Sequence, residues 1–121
     1  MNIELSKSDK RACRELIHIA LERECKAYVQ SVLKIAAVET SIEDPYREEN
    51  GVAVEGPWHK RFIELFCQTD KFNEHIAEWY DGIGGSRYLI TVLGLCRDGI
   101  LSADDISILS EELRNQIDSL M

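Results

Sequence analysis

Apolar positions recur at helical spacing along most of this 121-residue chain. Between residues 7 and 39 they follow steps of three and four, as from Leu16 to Ala20, which predicts one long helix or two nearly collinear ones. The same spacing returns in four later segments and predicts four more helices, at residues 57–68, 70–81, 86–97 and 103–120. A chain of this length is the size of one ordinary domain. The sequence therefore predicts an all-α fold, a single-domain bundle of about five helices covering residues 1–121.

Most aromatic residues belong to these helical patterns. Trp58, Phe62 and Phe66 follow one another at steps of four in the second predicted helix. Burying a side chain of this type stabilises a fold by about 1.5–3 kcal/mol. We therefore expect Phe62 and Phe66 in the core. Trp58, next to the preceding loop, is the aromatic residue that we expect to be partly exposed.

Residues 40–56 lack helical spacing over a long stretch. Pro45 and the Asn50-Gly51 pair are turn signals. Residues 52–54, Val-Ala-Val, have the composition of an extended segment, although one strand cannot form a sheet alone. The sequence therefore predicts one irregular acidic loop at residues 40–56, and long loops in compact domains often carry function.

The segment RDGILSADDISIL resembles the second half of a calcium-binding loop. Aligning Gly99 with the invariant glycine of such a loop places Gly94 and Cys96 where the first two carboxylates are required. We therefore interpret Gly99 as the left-handed residue that ends one helix, and Ser102 with Asp105 as the cap of the next.

The net charge of −8 is concentrated in two segments. Residues 35–55 and residues 98–121 each contain six acidic residues and one basic residue, a net charge of −5 in each case. Binding to a nucleic-acid backbone requires a positive surface, so this distribution argues against a nucleic-acid partner. It favours a basic protein partner, because complementary charge speeds association and disfavours wrong partners.

These observations predict a non-catalytic, acidic protein-binding module. Trp58 beside the acidic loop is an aromatic anchor of the kind found at binding hot spots. Bacterial immunity proteins, which neutralise basic nuclease toxins, are similar in size, charge and helical content, and the similarity is confined to those three properties. The predicted partner-binding residues are Glu43, Asp44, Glu48, Glu49, Glu55, Trp58, Glu111 and Glu112.

A metal-dependent enzyme or metal-binding helical protein is the second interpretation. Glu15 and His18 are three residues apart in the first predicted helix and therefore share one face. Di-iron carboxylate proteins need this Glu-x-x-His pair twice, and the chain contains it once. The four cysteines form no close C-x-x-C pair of the kind typical of zinc sites. We predict no catalytic residue, metal or cofactor under the first interpretation, and a site around Glu15 and His18 under the second.

A third interpretation is a self-associating structural subunit. The helix at 86–97 is apolar on all sides, which is typical of a buried helix and places it near a dimer interface in this interpretation. No apolar run approaches the ~20 residues that cross a bilayer, and the first residues lack the apolar core of a secretory signal. We therefore expect a cytoplasmic protein with no membrane partner, in which the cysteines are free and buried.

Overall fold

A computed structural model of the protein describes residues 4–37, 46–84 and 87–121. Within these residues the chain is mostly helical, with four α-helices, one 3-10 turn and one two-stranded hairpin. The elements in chain order are α1 (Lys7–Ala36), β1 (Arg47–Glu49), β2 (Val52–Val54), α2 (Pro57–Trp79), α3 (Tyr88–Arg97), the 3-10 turn (Asp105–Ile108) and α4 (Glu111–Leu120). The prediction of a small, mostly helical fold is confirmed.

The second and third predicted helices are one continuous helix, α2, so the predicted break between them is wrong. After Pro57 the segment contains no glycine or proline that would interrupt it. Thr69, at the expected break, lies inside the helix and its hydroxyl is hydrogen-bonded to the hydroxyl of Tyr28. The apolar spacing on the two sides of Thr69 therefore belongs to one helix.

The last predicted helix, in contrast, is divided. Ser102 and Asp105 form the reciprocal bonds of a capping box: the Ser102 amide donates to the Asp105 carboxylate (2.7 Å), and the Asp105 amide to Ser102 Oγ (3.2 Å). This box closes the bend just before the 3-10 turn, after which Leu109 is extended. A second cap, Ser110, then starts α4 by accepting a hydrogen bond from the Leu113 amide at 3.3 Å.

Gly99 follows the end of α3, as the sequence predicts, with a φ of +76°. The Ile100 amide donates to the Leu95 carbonyl (3.0 Å), and the Gly99 amide to the Cys96 carbonyl (3.1 Å). These two bonds define a Schellman ending, which favours glycine at the left-handed position. The acid-glycine pattern that resembles a calcium loop is therefore a helix ending.

The described part of the predicted irregular loop contains a β-hairpin, and residues 40–45 lie outside the described residues. Asn50 and Gly51 have φ values of 53° and 78°, the two left-handed positions of a type I′ turn. Arg47 pairs with Val54, and Glu49 with Val52. The turn signal is confirmed, whereas the expectation of an irregular segment is wrong for residues 47–54.

The chain divides into two compact units: unit 1 comprises Met1–Lys26 and Ile76–Met121, and unit 2 comprises Ala27–His75. Among the described residues, every buried apolar side chain belongs to unit 1, and these residues are Ala12, Cys13, Leu16, Ile17, Ala20, Leu89, Val92, Leu93, Leu95, Leu101, Ile106, Leu109, Leu113 and Ile117. The apolarity of α3 is explained by this core, to which it contributes four of the residues. Unit 1 therefore has its own hydrophobic core.

A buried carboxylate connects the beginnings of α1 and α4 within unit 1. Asp9, 8% exposed, accepts hydrogen bonds from the Ser110 amide (2.9 Å) and the Ser110 hydroxyl (2.7 Å). Asp9 lies in the first turn of α1, and Ser110 is the N-cap residue of α4. Asp9 therefore links two segments that are far apart in the sequence.

Unit 2 consists of the last third of α1, the hairpin and most of α2. The rings of Tyr28 and Phe72 are stacked with their centroids 4.2 Å apart, and Arg61 donates to the Ile35 carbonyl at 2.8 Å. Tyr28 on α1 therefore contacts a later residue of α2 than Ile35 does. The two helical segments are antiparallel. None of the described residues of unit 2 is buried, in contrast to unit 1.

Candidate protein-interaction surface

Three of the acidic residues predicted to bind a partner lie on or beside the hairpin of unit 2. Glu48 and Glu49 on β1 are exposed, and so is Glu55 after β2. Because consecutive side chains of a strand point to opposite faces, Glu48 and Glu49 lie on opposite faces of the hairpin. Glu48 accepts a hydrogen bond from the Tyr46 hydroxyl. A carboxylate oxygen of Glu49 lies 3.5 Å from a guanidinium nitrogen of Arg47. The hairpin is therefore acidic on both faces, with one basic residue in its strands.

Trp58 lies in the first turn of α2, shortly after the hairpin in the chain, and is 45% exposed. This agrees with the expectation of partial exposure. Glu111 and Glu112 are exposed in the first turn of α4, in unit 1. Glu43 and Asp44 lie outside the described residues. Of the predicted binding residues that the structure describes, unit 2 thus contains Glu48 and Glu49 on the hairpin, Glu55 beside it, and Trp58.

The sequence prediction for Phe62 and Phe66 is wrong, because these side chains are 63% and 62% exposed. Helix α2 has apolar side chains on two sides, and a single neighbouring helix covers only one of these sides. The half-buried positions that face α1 are Leu65, Phe72 and their neighbours along the same stripe. The other stripe contains Trp58, Phe62 and Phe66, and the last two rings are 6.4 Å apart.

Two exposed residues of α1, Val29 (53% exposed) and Leu33 (62%), lie on the same side of unit 2 as this stripe. In antiparallel helices viewed from one end, successive residues turn by about 100° in opposite senses. The residue that follows an inward-facing one therefore points to the same side of the pair on both helices. Val29 and Leu33 follow the half-buried Tyr28 and Val32, while Phe62 and Phe66 follow the half-buried Arg61 and Leu65. We call Val29, Leu33, Trp58, Phe62 and Phe66 the apolar face.

The apolar face carries no charged residue among the described positions of unit 2. The other positions that the helical repeat places on this side are Ala36 on α1 and Thr69 and Asn73 on α2. His59 and Asp70 lie at its outer edge on α2. The face is therefore neutral in a protein whose net charge is −8. In the sequence, this face is visible only as the four-residue spacing from Trp58 to Phe66. Such a spacing is compatible with a buried helix side and with an exposed one.

Among the described residues, no third metal-binding side chain accompanies Glu15 and His18. Glu15 and His18 both lie exposed on α1. In residues 4–37, 46–84 and 87–121, no group of three or more His, Cys, Asp or Glu side chains is arranged to hold a metal ion. The pair on α1 therefore has the Glu-x-x-His spacing without further coordinating groups among the described residues.

The four cysteines are free thiols in different environments. Burial, with a smaller effect of Asp9, raises the pKa of the Cys13 thiol to about 11, and burial also raises the pKa of Cys96. A raised pKa reduces the thiolate population that acts as a nucleophile. Cys67 is exposed on α2, so the prediction that all cysteines are buried is wrong for this residue.

A surface cavity of about 290 Å³ lies in unit 1 beside the beginnings of α1 and α4, and it is lined by Glu4, Leu5, Ser6, Asp9, Ser110, Glu112, Leu113 and Gln116. Its most buried acid, Asp9, is bonded to Ser110. That carboxylate has a structural role, because it holds the cap of α4. The cavity is thus formed by the same contacts that join the two helices.

No helix within the described residues is long and apolar enough to cross a membrane. None of the protein-family models, curated proteins or solved structures compared with the chain matches it significantly. The exposed groups of unit 2 include the acids on and beside the hairpin, Trp58 and the apolar face.

Proposed function

We propose that the protein is a non-catalytic protein-binding module that recognises a basic protein, as an inhibitor or immunity protein does. The observation that supports this proposal is the exposure of Glu48, Glu49 and Glu55 on and beside the hairpin that precedes the 45% exposed Trp58. Charged groups at an interface rim accelerate association with an oppositely charged partner. A partly exposed tryptophan provides the apolar anchor that concentrates binding energy.

The charges of the hairpin favour a basic partner over a neutral one. Arg47 is the basic residue in its strands, and it lies 3.5 Å from Glu49, while Glu48 and Glu55 are exposed acids. Rim charges act mainly on the association rate, and salt screens them over a distance of about 10 Å at 0.1 M ionic strength. A basic partner should therefore associate quickly at low salt and slowly at high salt.

The partner is obtained first, by affinity capture from the native lysate at low salt, and its association kinetics are then measured at 0.05 M and 0.5 M salt. The triple variant Glu48→Gln, Glu49→Gln, Glu55→Gln should slow association about tenfold or more at low salt and have little effect at high salt. The matched control is the double variant Glu111→Gln, Glu112→Gln, which removes exposed acids from unit 1.

The contribution of the aromatic anchor is tested separately. Replacing Trp58 by Ala should weaken binding by about 2 kcal/mol, the size of effect seen at hot spots, mainly through faster dissociation. A partner whose association rate is the same for the protein and the triple hairpin variant at low salt would refute recognition by the hairpin. If the unit 1 control alone slows association, the binding surface lies around Glu111 and Glu112 instead.

A further inference from the structure

We infer that the apolar face of unit 2 is covered by a second copy of this chain, so that the protein is a homodimer. The two copies would meet through Val29, Leu33, Phe62 and Phe66 on the paired helical segments, with Trp58 at one end of the face. This inference does not depend on the existence of a basic partner, and the apolar face shares only Trp58 with the surface proposed for that partner.

Unit 2 has no buried side chain of its own among its described residues, although it contains two amphipathic helical segments. An amphipathic helix gains its stability in a protein from packing its apolar face, and a helix pair with a single shared stripe leaves the remaining apolar surface in water. The stacking of Tyr28 on Phe72 uses the stripe between the helices. A second copy would supply the missing layer and turn two helical pairs into a four-helix arrangement.

The size of the apolar face is that of a dimer interface. Its five side chains are between 45% and 63% exposed. With about 200 Å² for an aromatic side chain and about 100 Å² for valine or leucine, they offer about 450 Å² of apolar surface per copy. An interface of standard size buries about 800 Å² per partner, and about 65% of that area is apolar in homodimers, which amounts to about 500 Å². The two areas agree.

The absence of charge on the face favours a second copy over a basic partner. The positions that share this side of the two described helical segments, Ala36, Thr69 and Asn73, are uncharged. Two copies of a protein with a net charge of −8 repel one another, and a surface that brings no acids together keeps this repulsion low. A basic protein, in contrast, would find no complementary charge on this face.

The test is the mass of the protein in solution, measured by sedimentation equilibrium between about 1 and 100 µM, a range that includes the weakest affinities common for interfaces of standard size. We expect a dimer, with twice the chain mass of 13.8 kDa. We also expect the dimer to persist at 0.5 M salt, because an apolar interface is not screened. A monomer at 100 µM would overturn the inference.

The location of the interface is tested with charged variants. Leu33→Glu and Phe66→Glu each place two carboxylates in the proposed interface, and each should raise the dimer dissociation constant at least 100-fold. Both side chains are 62% exposed in the single chain, so the helical circular dichroism should be retained. The matched control is Ile90→Glu on α3, which changes a 57% exposed apolar residue of unit 1 and should leave the dimer intact.

A dimer that dissociates in the Ile90 variant but not in the Leu33 and Phe66 variants would overturn the proposed location. These outcomes are independent of the proposed function. The dimer is measured on the purified protein alone and should persist at high salt, whereas binding of a basic partner is measured by association kinetics and should be slowed at low salt when the hairpin acids are removed.

Discussion

Replacement of Asp9 by Ala should destabilise unit 1 by about 2–4 kcal/mol. The carboxylate is 8% exposed and accepts two hydrogen bonds from Ser110, at 2.9 Å from the amide and 2.7 Å from the hydroxyl. A hydrogen bond to a charged group contributes about 1.5–3 kcal/mol, and contributions within one network are less than additive. The loss also affects α4, because the Ser110 hydroxyl that Asp9 orients caps this helix. An effect of this size is a large fraction of the 5–15 kcal/mol stability of an ordinary domain.

The two tryptophans allow this effect to be assigned to one unit. Trp58 belongs to unit 2 and Trp79 to unit 1, so in a Trp58→Phe background the fluorescence of Trp79 reports on unit 1. Urea unfolding followed at this tryptophan should shift to lower denaturant for Asp9→Ala without a change in slope. Asp9→Asn keeps one acceptor and should cost less than Asp9→Ala. A free energy of unfolding within about 0.5 kcal/mol of the parent, the range of neutral surface substitutions, would refute the structural role of Asp9.

Two further predictions concern pH and thiol chemistry. Hydrogen bonds from Arg23, and then from Ser102, hold the pKa of Asp105 well below its usual range. Its stabilising effect is therefore complete above the usual carboxyl pKa of about 4 and is lost as the pH falls below it. Asp105→Asn should cost about 1 kcal/mol at pH 7, and the difference in unfolding free energy should shrink between pH 4 and 2. In thiol labelling of the folded protein at pH 8, Cys67 should react first, whereas Cys13 should react only after unfolding because it is buried and its pKa is about 11.

Each of these predictions has a direct control. The exposed neighbour Asp104 serves for the pH series, since Asp104→Asn removes an acid from the same segment without touching the capping box. An equal cost for Asp105→Asn at pH 7 and pH 3 would contradict the assignment of the low pKa. For the labelling, Cys67→Ser should abolish the fast phase, and a fast phase that survives in this variant would show that another thiol is accessible.

The helix-ending signals were the most reliable part of the sequence prediction, because they act through local backbone geometry. Gly99 requires only its own left-handed conformation and the carbonyls of the preceding turn, so the ending of α3 could be predicted without knowledge of the fold. The Asn50-Gly51 turn was recognised for the same reason. The strand Arg47–Glu49 was missed because charged residues have low strand propensity, and the turn and its pairing with Val52–Val54 determine it.

The apolar face could not be predicted from the sequence, since helical spacing gives the direction of a side chain but not what it meets. Leu65 and Phe66 are adjacent in the chain, yet the first is half-buried against α1 and the second is 62% exposed. The difference depends on the position of the α1 segment, which is a tertiary property. The binding role of the hairpin acids stays a prediction, as does the role of Glu111 and Glu112.

Helix α1 has a further consequence for the dynamics of the protein. Its buried residues are confined to the first half, from Asp9 to Ala20, whereas the last third, from Ala27 to Ala36, has none. Backbone amides of one continuous helix should therefore exchange with deuterated water at very different rates, slowest near Leu16 and fastest beyond Tyr28. If a second copy covers Val29 and Leu33, the slow-exchanging part of α1 will lengthen as the protein concentration rises. A higher concentration increases the fraction of dimer, in which the amides of this segment are protected from exchange.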